Sequence, residues 1–359
     1  MLNNTIYRLR KEKKLTVGYF GGSITEGAGA TSWDHTSWRG LLNKHLAETY
    51  PDVEFKEVMA AIGGTGTDFG LCRCQHDLLS GKPNLVFIEF AVNDSSFSYR
   101  EQMSGYENCL RQILSYDDTV DIVCVFTITK AIEKKLLETG SFSSRAVQET
   151  LAHHYGLDTV NLGEHLRIAV KEASSDWLRY TTDETHPNDD GYIICANVMK
   201  KALSNLLDGE TPEALEHHKI PRQLSHDTLV NGRMIELGEF EDSLHGFTFI
   251  DKRFKRRFSH YYRADGIGSS IDFEFEGTGF GIYWLMDKDS GCVSVTLDGK
   301  ETKIVSAWDE YCKSYSRAGY VFPFKDLENT KHTVKIQVID EKDPESLGNA
   351  IAIHAFLLI

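Results

Sequence analysis

The order of apolar and polar positions divides the chain into two parts. Over about the first two hundred residues, short apolar runs closed by glycine or polar residues alternate with longer stretches that carry an apolar residue every three or four positions. The short runs are typical of buried parallel strands, and the longer stretches are typical of amphipathic helices. The predicted strands cover residues 15–20, 53–62, 85–92, 122–128 and 159–162. This alternation predicts a parallel sheet with helices on both faces.

The helices expected between these strands follow from start and stop signals as well as from periodicity. Ser37 is a suitable cap for the first of them, and Pro187 is expected to open the last, which ends near Leu207. The predicted helices cover residues 37–50, 68–79, 99–116, 131–155, 164–173 and 187–207. On the last helix, the inner face is expected to carry Ile193, Ile194, Val198, Leu203 and Leu206.

After Leu207 the pattern changes twice. The next 25 positions, residues 208–232, show little periodicity and contain glycine, proline and several histidines, which is typical of a linker. From about Met234 onward the chain consists of short alternating segments, and the pair Asp298–Gly299 is a hairpin signal. Strands are expected at residues 270–276, 279–286, 292–297, 332–339 and 350–359. The predicted organisation is a first domain over residues 1–210, a linker over 211–233 and an antiparallel, jelly-roll-like β-sandwich over 234–359.

Composition and charge narrow the class of protein. The chain of 359 residues is too long for one ordinary core, and its 41% hydrophobic and 26% charged content is typical of a globular protein. The net charge of −14 argues against a nucleic acid or an anionic membrane as partner. Because the N-terminal segment lacks the apolar core of a signal peptide and no run of about 18 apolar residues occurs, we expect a cytoplasmic location.

The seven cysteines are scattered along the chain, which fits a reducing compartment. Cys72 and Cys74 are the only close pair in the sequence, and their spacing is not a usual one for zinc. We therefore expect buried thiols at these positions and no metal site.

Residues with a catalytic use follow the predicted strands. Ser23 comes after Gly21 and Gly22 at the end of the first strand, and Asn93 comes after the third. Open α/β sheets place their chemistry at the carboxyl ends of the strands. A serine hydroxyl presented on a tight glycine turn at such a place is a candidate nucleophile.

A base for this serine lies far along the chain, in Asp183-Glu-Thr-His186, just before the last helix. An aspartate three residues before a histidine can accept the imidazole Nδ1–H, which leaves Nε2 available for the serine proton. The backbone N–H groups of Ser23 and Gly64 and the side-chain amide of Asn93 would then stabilise the oxyanion. Gly63 is the alternative to Gly64.

Each of these pieces has a common structural interpretation when it stands alone. Gly-Gly-Ser is usually a turn, Asn93 after a strand is often a cap, and Asp183 can simply complement a helix dipole. Their chain order, with each piece at the expected end of a strand, indicates a serine hydrolase.

These blocks resemble the SGNH hydrolases, the GDSL-type esterase family, over residues 13–207. The serine, glycine, asparagine and histidine for which the family is named correspond to Ser23, Gly64, Asn93 and His186, with Asp183 as the partner of the histidine. Gly22 stands where the family's usual pattern has aspartate. The resemblance implies a flavodoxin-like three-layer α/β/α fold, an acyl-enzyme intermediate and no cofactor or metal.

The resemblance leaves the substrate open. An SGNH domain joined to a β-sandwich is similar to some carbohydrate acetyl esterases, although there the sandwich commonly comes first. We expect a small-molecule substrate carrying short-chain, acetyl-like esters on a sugar, with Trp33, Trp177 and Tyr180 as aromatic residues that could stack on the sugar ring. The alternatives are an esterase or thioesterase for lipid-like acyl chains and a non-catalytic protein that binds glycan through its sandwich. A contact between copies of the chain, giving a homo-oligomer, is a further role open to the sandwich.

Overall fold

The computed structural model describes residues 1–225 and 232–359. The chain divides into two compact units, Met1–Val230 and Asn231–Ile359, and a separate hydrophobic cluster lies in each. Part of the predicted linker, residues 226–231, lies outside the described residues.

A parallel sheet forms the centre of the first unit. Its strands are β1 Lys14–Gly21, β2 Glu54–Ala61, β3 Leu85–Glu89, β4 Asp121–Phe126 and β5 Asp158–Asn161. The strand order is β2-β1-β3-β4-β5, and every neighbouring pair is parallel. This is the flavodoxin-like order, in which ligands bind beyond the carboxyl ends of the strands near the point where the order reverses. The predicted fold of this unit is confirmed.

Helices surround this sheet. They are α1 Asn3–Tyr7, α2 Ser23–Glu26, α3 Trp38–Thr49, α4 Thr67–Arg73, α5 Tyr99–Tyr116, α6 Lys130–Thr139, α7 Ser143–Tyr155, α8 Leu162–Glu172 and α9 Asp189–Leu206. Five-residue π-helical turns, Arg8–Glu12 and Cys74–Leu78, continue α1 and α4. Ser37 caps α3 by accepting a hydrogen bond from the Gly40 N–H, as predicted.

Two helix predictions differ from the structure. The predicted helix over residues 131–155 is two helices, because Gly140 ends α6 in the left-handed conformation at φ 70°. The last helix starts at Asp189 and is capped by Asn188, while Pro187 lies before it, paired with Thr181. On this helix Ile193 is 47% exposed, and the buried face carries Tyr192, Cys195, Ala196, Met199 and Leu203.

The segment after α9 packs back on the first unit through polar contacts. The Asn4 amide donates to the Glu216 carbonyl at 2.8 Å, and His218 Nε2 lies 3.1 Å from an Asp121 carboxylate oxygen. The carboxylate of Glu107 accepts the backbone N–H groups of Leu224 and Ser225. The segment between α9 and residue 225 is therefore held against the rest of the first unit by hydrogen bonds of charged and amide groups.

The second unit is an antiparallel β-sandwich, as predicted. Its strands are β6 Arg233–Glu236, β7 Leu244–His245, β8 Thr248–Ile250, β9 Tyr261–Ala264, β10 Ser270–Gly277, β11 Phe280–Met286, β12 Cys292–Leu297, β13 Glu301–Ser306, β14 Arg317–Phe324, β15 Thr330–Val338 and β16 Ile351–Leu358. One sheet has the order β13-β12-β15-β10-β7, and the other has the order β14-β11-β16-β9-β8 with β6 also paired to β16. Asp298 and Gly299 both have positive φ in the turn between β12 and β13, which explains their hairpin signal.

Among the residues that the structure describes, no helix combines the length and the apolar character required to cross a membrane.

Candidate active site

The turn between β1 and α2 presents the Ser23 side chain at the carboxyl end of the sheet. Gly22 has φ −95°, a value open to any residue, so conformational freedom does not explain the glycine. The reason is close packing, because a Cβ at this position would overlap the Oδ1 atom of Asn93. The missing side chain lets the Asn93 amide lie directly beside the residue that precedes the nucleophile.

Ser23, His186 and Asp183 form a continuous hydrogen-bonded chain. The Ser23 Oγ and His186 Nε2 atoms are 2.8 Å apart, and His186 Nδ1 lies 2.7 Å from Asp183 Oδ2. A carboxylate only accepts hydrogen bonds, so the proton of the neutral imidazole sits on Nδ1 and the Ser23 hydroxyl donates to Nε2. Residues 163 positions apart in the sequence therefore meet in the geometry needed to activate a serine hydroxyl.

The carboxylate of Asp183 is held in its ionised form. Burial by itself raises the pKa of Asp183, but hydrogen bonds from the backbone N–H and the ring of His186 outweigh it, so the net pKa lies below the ordinary value. The Thr185 N–H also donates to this carboxylate, at 3.1 Å. An ionised carboxylate at Nδ1 would stabilise the imidazolium formed if His186 takes a proton from the serine.

The loop that carries Asp183 and His186 is anchored to the helix α6. Glu184 adopts the left-handed conformation at φ 65°, its carbonyl accepts the Lys130 N–H at 3.0 Å, and its carboxylate pairs with Lys130 Nζ at 2.6 Å. Asp189, at the start of α9, accepts hydrogen bonds from Thr31 and Thr36. These contacts fix the position of the loop that carries His186 relative to the loop that follows Ser23.

Two chain segments that carry predicted oxyanion donors lie next to the Ser23 turn: the Asn93 side chain lies beside Gly22, and the Gly63–Gly64 loop approaches Ser23 at Gly63. Within the described part of the chain, no hydrogen-bond partner is found for the Ser23 N–H, the Gly64 N–H or the Asn93 Nδ2 group. The second block is close to the nucleophile, because a Cβ at Gly63 would lie 3.2 Å from the Ser23 Cβ. The Gly63 N–H is occupied, since it donates to Glu26 Oε2 at 2.8 Å. The sequence leaves Gly63 and Gly64 as alternatives for the second oxyanion donor, and the geometry therefore favours Gly64.

Glu89, which sequence reasoning did not single out, lies buried behind the nucleophile turn. Its carboxyl group accepts hydrogen bonds from Thr127 Oγ1 at 2.7 Å, from Thr25 Oγ1 at 3.0 Å and from the Gly22 N–H. Burial raises the pKa of Glu89 above its usual range. The sequence does contain a signal for this residue, because Glu89 is the single acidic residue in an otherwise apolar predicted strand. A carboxyl group buried at such a position requires hydrogen-bond partners.

Asp94 is a second buried acid that sequence reasoning left without a role. Its carboxylate oxygens accept the Thr67 N–H at 2.8 Å, the Thr67 hydroxyl at 3.1 Å and the Gln148 amide at 3.0 Å. Burial raises the pKa of Asp94 to about 8. Because Asp94 follows Asn93 and Thr67 follows the Gly64 loop, Asp94 links two of the three segments that carry predicted oxyanion donors.

The aromatic residues predicted to contact a sugar differ in exposure. Trp33 is 41% exposed in the loop after the nucleophile, whereas Trp177 is 3% exposed and donates its indole N–H to Glu133 at 3.0 Å. Trp177 also lines a cavity of about 790 Å³ that Asp183 borders. The Tyr180 ring is faced by the Arg179 guanidinium, 5.6 Å from its centroid. Their role in binding a substrate stays a prediction.

Most of the first unit matches a known protein family. Residues 19–194 match the model of the GDSL-like Lipase/Acylhydrolase family. The first unit is a GDSL-like lipase/acylhydrolase domain. This domain contains Ser23, Gly64, Asn93 and His186, and no metal-holding group of three or more His, Cys, Asp or Glu side chains is found in residues 1–225 or 232–359.

Two solved structures share the architecture of this GDSL-like domain followed by a β-sandwich. A two-domain esterase (CEX) active on acetylated mannans, co-crystallised with mannopentaose, aligns with a TM-score of 0.79 and 22% identity, over 98% of this chain and 94% of that one. A second structure described as CEX aligns with a TM-score of 0.81 and 21% identity, over 99% of this chain and 95% of that one. At these identities the likeness shows the fold. No curated protein matches the chain.

Proposed function

We propose that the protein is a serine esterase that removes short acyl groups, acetyl in the first place, from carbohydrates. The observation that carries the proposal is the hydrogen bond of 2.8 Å between Ser23 and His186, with Asp183 bound to the other ring nitrogen. Neither a cofactor nor a metal takes part in the proposed reaction.

In the first step, Ser23 Oγ attacks the carbonyl carbon of the ester while His186 Nε2 takes the hydroxyl proton. The carbonyl oxygen becomes an oxyanion, which the N–H groups of Ser23 and Gly64 and the Asn93 amide stabilise. The bond from carbon to the leaving oxygen then breaks, and His186 passes its proton to the leaving alcohol. The product of this step is the acylated Ser23 and a sugar hydroxyl.

In the second step, water replaces the alcohol. His186 Nε2 accepts a proton from the water while the water oxygen attacks the acyl carbon. When the bond to Ser23 Oγ breaks, His186 returns the proton to the serine oxygen. The products are a carboxylic acid and the free enzyme, so the atoms and protons balance.

The choice of an acetylated sugar rests on the match to CEX, which is described as active on acetylated mannans. That match extends over both the GDSL-like domain and the β-sandwich. The exposed face of Trp33 offers a surface on which a pyranose ring could stack. These observations support a sugar ester over a long-chain lipid ester.

A panel of esters tests the substrate. We expect p-nitrophenyl acetate to be hydrolysed faster than the butyrate, octanoate and laurate, and acetylated mannooligosaccharides to release acetate. Rates that rise with acyl length would favour the lipid-like alternative, because each added methylene would then gain contact with an apolar pocket. A folded protein that neither hydrolyses any ester nor reacts with a fluorophosphonate would leave only the glycan-binding alternative.

Substitution of the nucleophile and base tests the mechanism. Ser23→Ala and His186→Ala should each lower kcat by at least about 10³-fold, because either change disables the same proton transfer. Ser80→Ala and His165→Ala are matched controls at exposed positions and should keep the activity of the unchanged protein. Near-normal hydrolysis by either active-site variant would contradict the role assigned to that residue.

A further inference from the structure

Glu26 is a buried carboxylate three residues after the nucleophile that takes no part in the proton transfer described above. It is the last residue of α2, and it is 2% exposed. Its Oε2 atom accepts the Gly63 N–H at 2.8 Å. The helix that begins with Ser23 is therefore connected directly to the loop that supplies the second oxyanion donor.

The backbone of Glu26 is itself fixed from two sides. Gly27 closes the short helix in the left-handed conformation at φ 109° and returns its N–H to the Ser23 carbonyl. The buried guanidinium of Arg39 donates to the Glu26 carbonyl at 3.4 Å and to the Trp33 carbonyl at 3.1 Å. The Arg39 guanidinium is also paired with Asp34 at 3.1 Å. These contacts fix the backbone of Glu26, so that its side chain extends toward the Gly63–Gly64 loop from a defined position.

The hydrogen bond from the Gly63 N–H to Glu26 holds the peptide group directly before the one that carries the Gly64 N–H. A Cβ at Gly63 would lie 3.0 Å from Glu26 Oε2 and 3.2 Å from the Ser23 Cβ, so the loop approaches both side chains closely at this point. Gly64, by contrast, has φ 74° and open space where a Cβ would be. With the first glycine held on Glu26, the second presents its N–H without any partner in the described part of the chain.

We propose that Glu26 is a positioning residue, which holds the Gly63 N–H so that the Gly64 N–H points at the developing oxyanion. This inference rests on the proposed esterase function. Without an acceptor at Glu26, the Gly63–Gly64 segment loses the bond that orients it, and the oxyanion loses one well-placed donor. Loss of one such donor lowers kcat by about 10²–10³-fold in serine hydrolases, so a misplaced donor should cost up to about 10²-fold.

Three substitutions separate this role from a general effect on folding. Glu26→Met replaces the carboxylate with an apolar side chain of similar length, which removes the hydrogen-bond acceptor. Glu26→Asp keeps the carboxylate but shortens the side chain by one methylene group. Both should lower kcat by about 10- to 100-fold while KM changes by less than about threefold, because the lost interaction forms in the transition state. Glu26→Gln retains an oxygen that can accept the Gly63 N–H and should restore kcat to within about fivefold of the unchanged protein.

Glu107→Met is the control for loss of a buried carboxylate elsewhere in the domain. Glu107 is equally buried and accepts the Leu224 and Ser225 N–H groups, so this variant should lower the melting temperature with kcat unchanged. If Glu26→Met and Glu26→Asp keep normal kcat, or if Glu26→Gln loses as much as they do, the proposal is wrong.

Hydrogen exchange of the peptide spanning residues 61–66 tests the loop independently of activity. Exchange at Gly63 should be slow in the unchanged protein and in Glu26→Gln, and faster in Glu26→Met and Glu26→Asp, because only the first two hold the N–H. Equal exchange in all four proteins would overturn the proposal. Absence of hydrolysis and of fluorophosphonate labelling in the unchanged protein would instead count against the esterase function itself.

Discussion

At the scale of single residues, the position of the Asn93 amide, a proposed oxyanion donor, depends on how closely Gly22 and Asn93 pack. The Asn93 side chain occupies the space into which any Cβ at residue 22 would project. The absence of a side chain at residue 22 thus allows the close approach of the Asn93 amide. The Gly22 N–H is in turn bound by the buried Glu89.

The first prediction concerns this contact. Gly22→Ala places a methyl group where Asn93 Oδ1 lies, so the amide must leave its position beside Ser23. Loss of one oxyanion donor should lower kcat by about 10²-fold, with a smaller effect on KM. Steady-state kinetics with p-nitrophenyl acetate measure both.

Gly266→Ala is the control for this substitution. A Cβ at Gly266 meets only Ser269 Oγ at 3.5 Å, an ordinary contact, and its activity should not change. Unchanged kcat in Gly22→Ala, with the variant folded, would mean that Asn93 does not act from the position seen here.

The residues predicted from the sequence come together because each follows the carboxyl end of a recognisable strand or precedes a recognisable helix. Ser23, His186 and Asp183 needed only chain order and the chemistry of their side chains. The acids that brace them were not predictable in the same way. In the sequence, nothing distinguishes Glu26 from a polar loop residue. Its burial depends on Arg39 and Gly63, which approach it only in the folded chain.

At the scale of elements, β1, β3 and β4 match the predicted strands closely, because a strand buried on both faces leaves an apolar run. Strands with few buried residues were harder to predict than strands with one buried face, such as β10 and β15. β13, Glu301–Ser306, is almost entirely exposed and forms the end of its sheet, so no alternation marks it. The short α1 was also missed, since five residues carry too little periodicity to be distinguished from a loop.

Asp94, in the turn after β3, accepts hydrogen bonds from Thr67 at the start of α4. Burial raises the pKa of Asp94 to about 8 in the folded protein. In the unfolded chain an aspartate has a pKa of about 3.9. As the pH rises from about 4 to about 8, the unfolded chain releases this proton first, so this group lowers the free energy of unfolding over that range. Its full contribution to stability is present only below about pH 4.

Asp94→Asn removes this titration while keeping a carbonyl oxygen for the Thr67 N–H. The free energy of unfolding of the variant, relative to the unchanged protein, should therefore increase between about pH 5 and about pH 8. Urea unfolding at several pH values measures the difference. Asp272→Asn, on the exposed face of β10, is the control and should show the same difference at every pH. A constant difference for Asp94→Asn as well would contradict the burial of an ionisable group there.

At the scale of the whole molecule, the chain beyond α9 contributes to the first unit although its sequence predicts a linker. Between Gly209 and Ser225 the contacts are hydrogen bonds and ion pairs to Arg10, Asn4, Asp121 and Glu107. Such contacts leave no hydrophobic pattern, so sequence reasoning placed the boundary of the domain at residue 210. A polar attachment of this kind should respond to pH.

His218 makes that response testable. The hydrogen bond to Asp121 is the main cause that raises the pKa of His218, and the charges of Glu216 and Asp118 act in the same direction. A raised pKa in the folded state means that the stabilisation is complete below the unfolded value of about 6.5 and is lost as the pH rises through the folded value. His218→Gln should therefore lower the stability of the full chain by about 1 kcal/mol near pH 5.5 and by progressively less toward pH 9.

The neighbouring His217, 73% exposed, gives the control for this prediction. His217→Gln should have little effect at either pH, because an exposed pair with Asp118 is weak. If the loss in His218→Gln were the same at both pH values, the segment would be held by packing rather than by the charged pair.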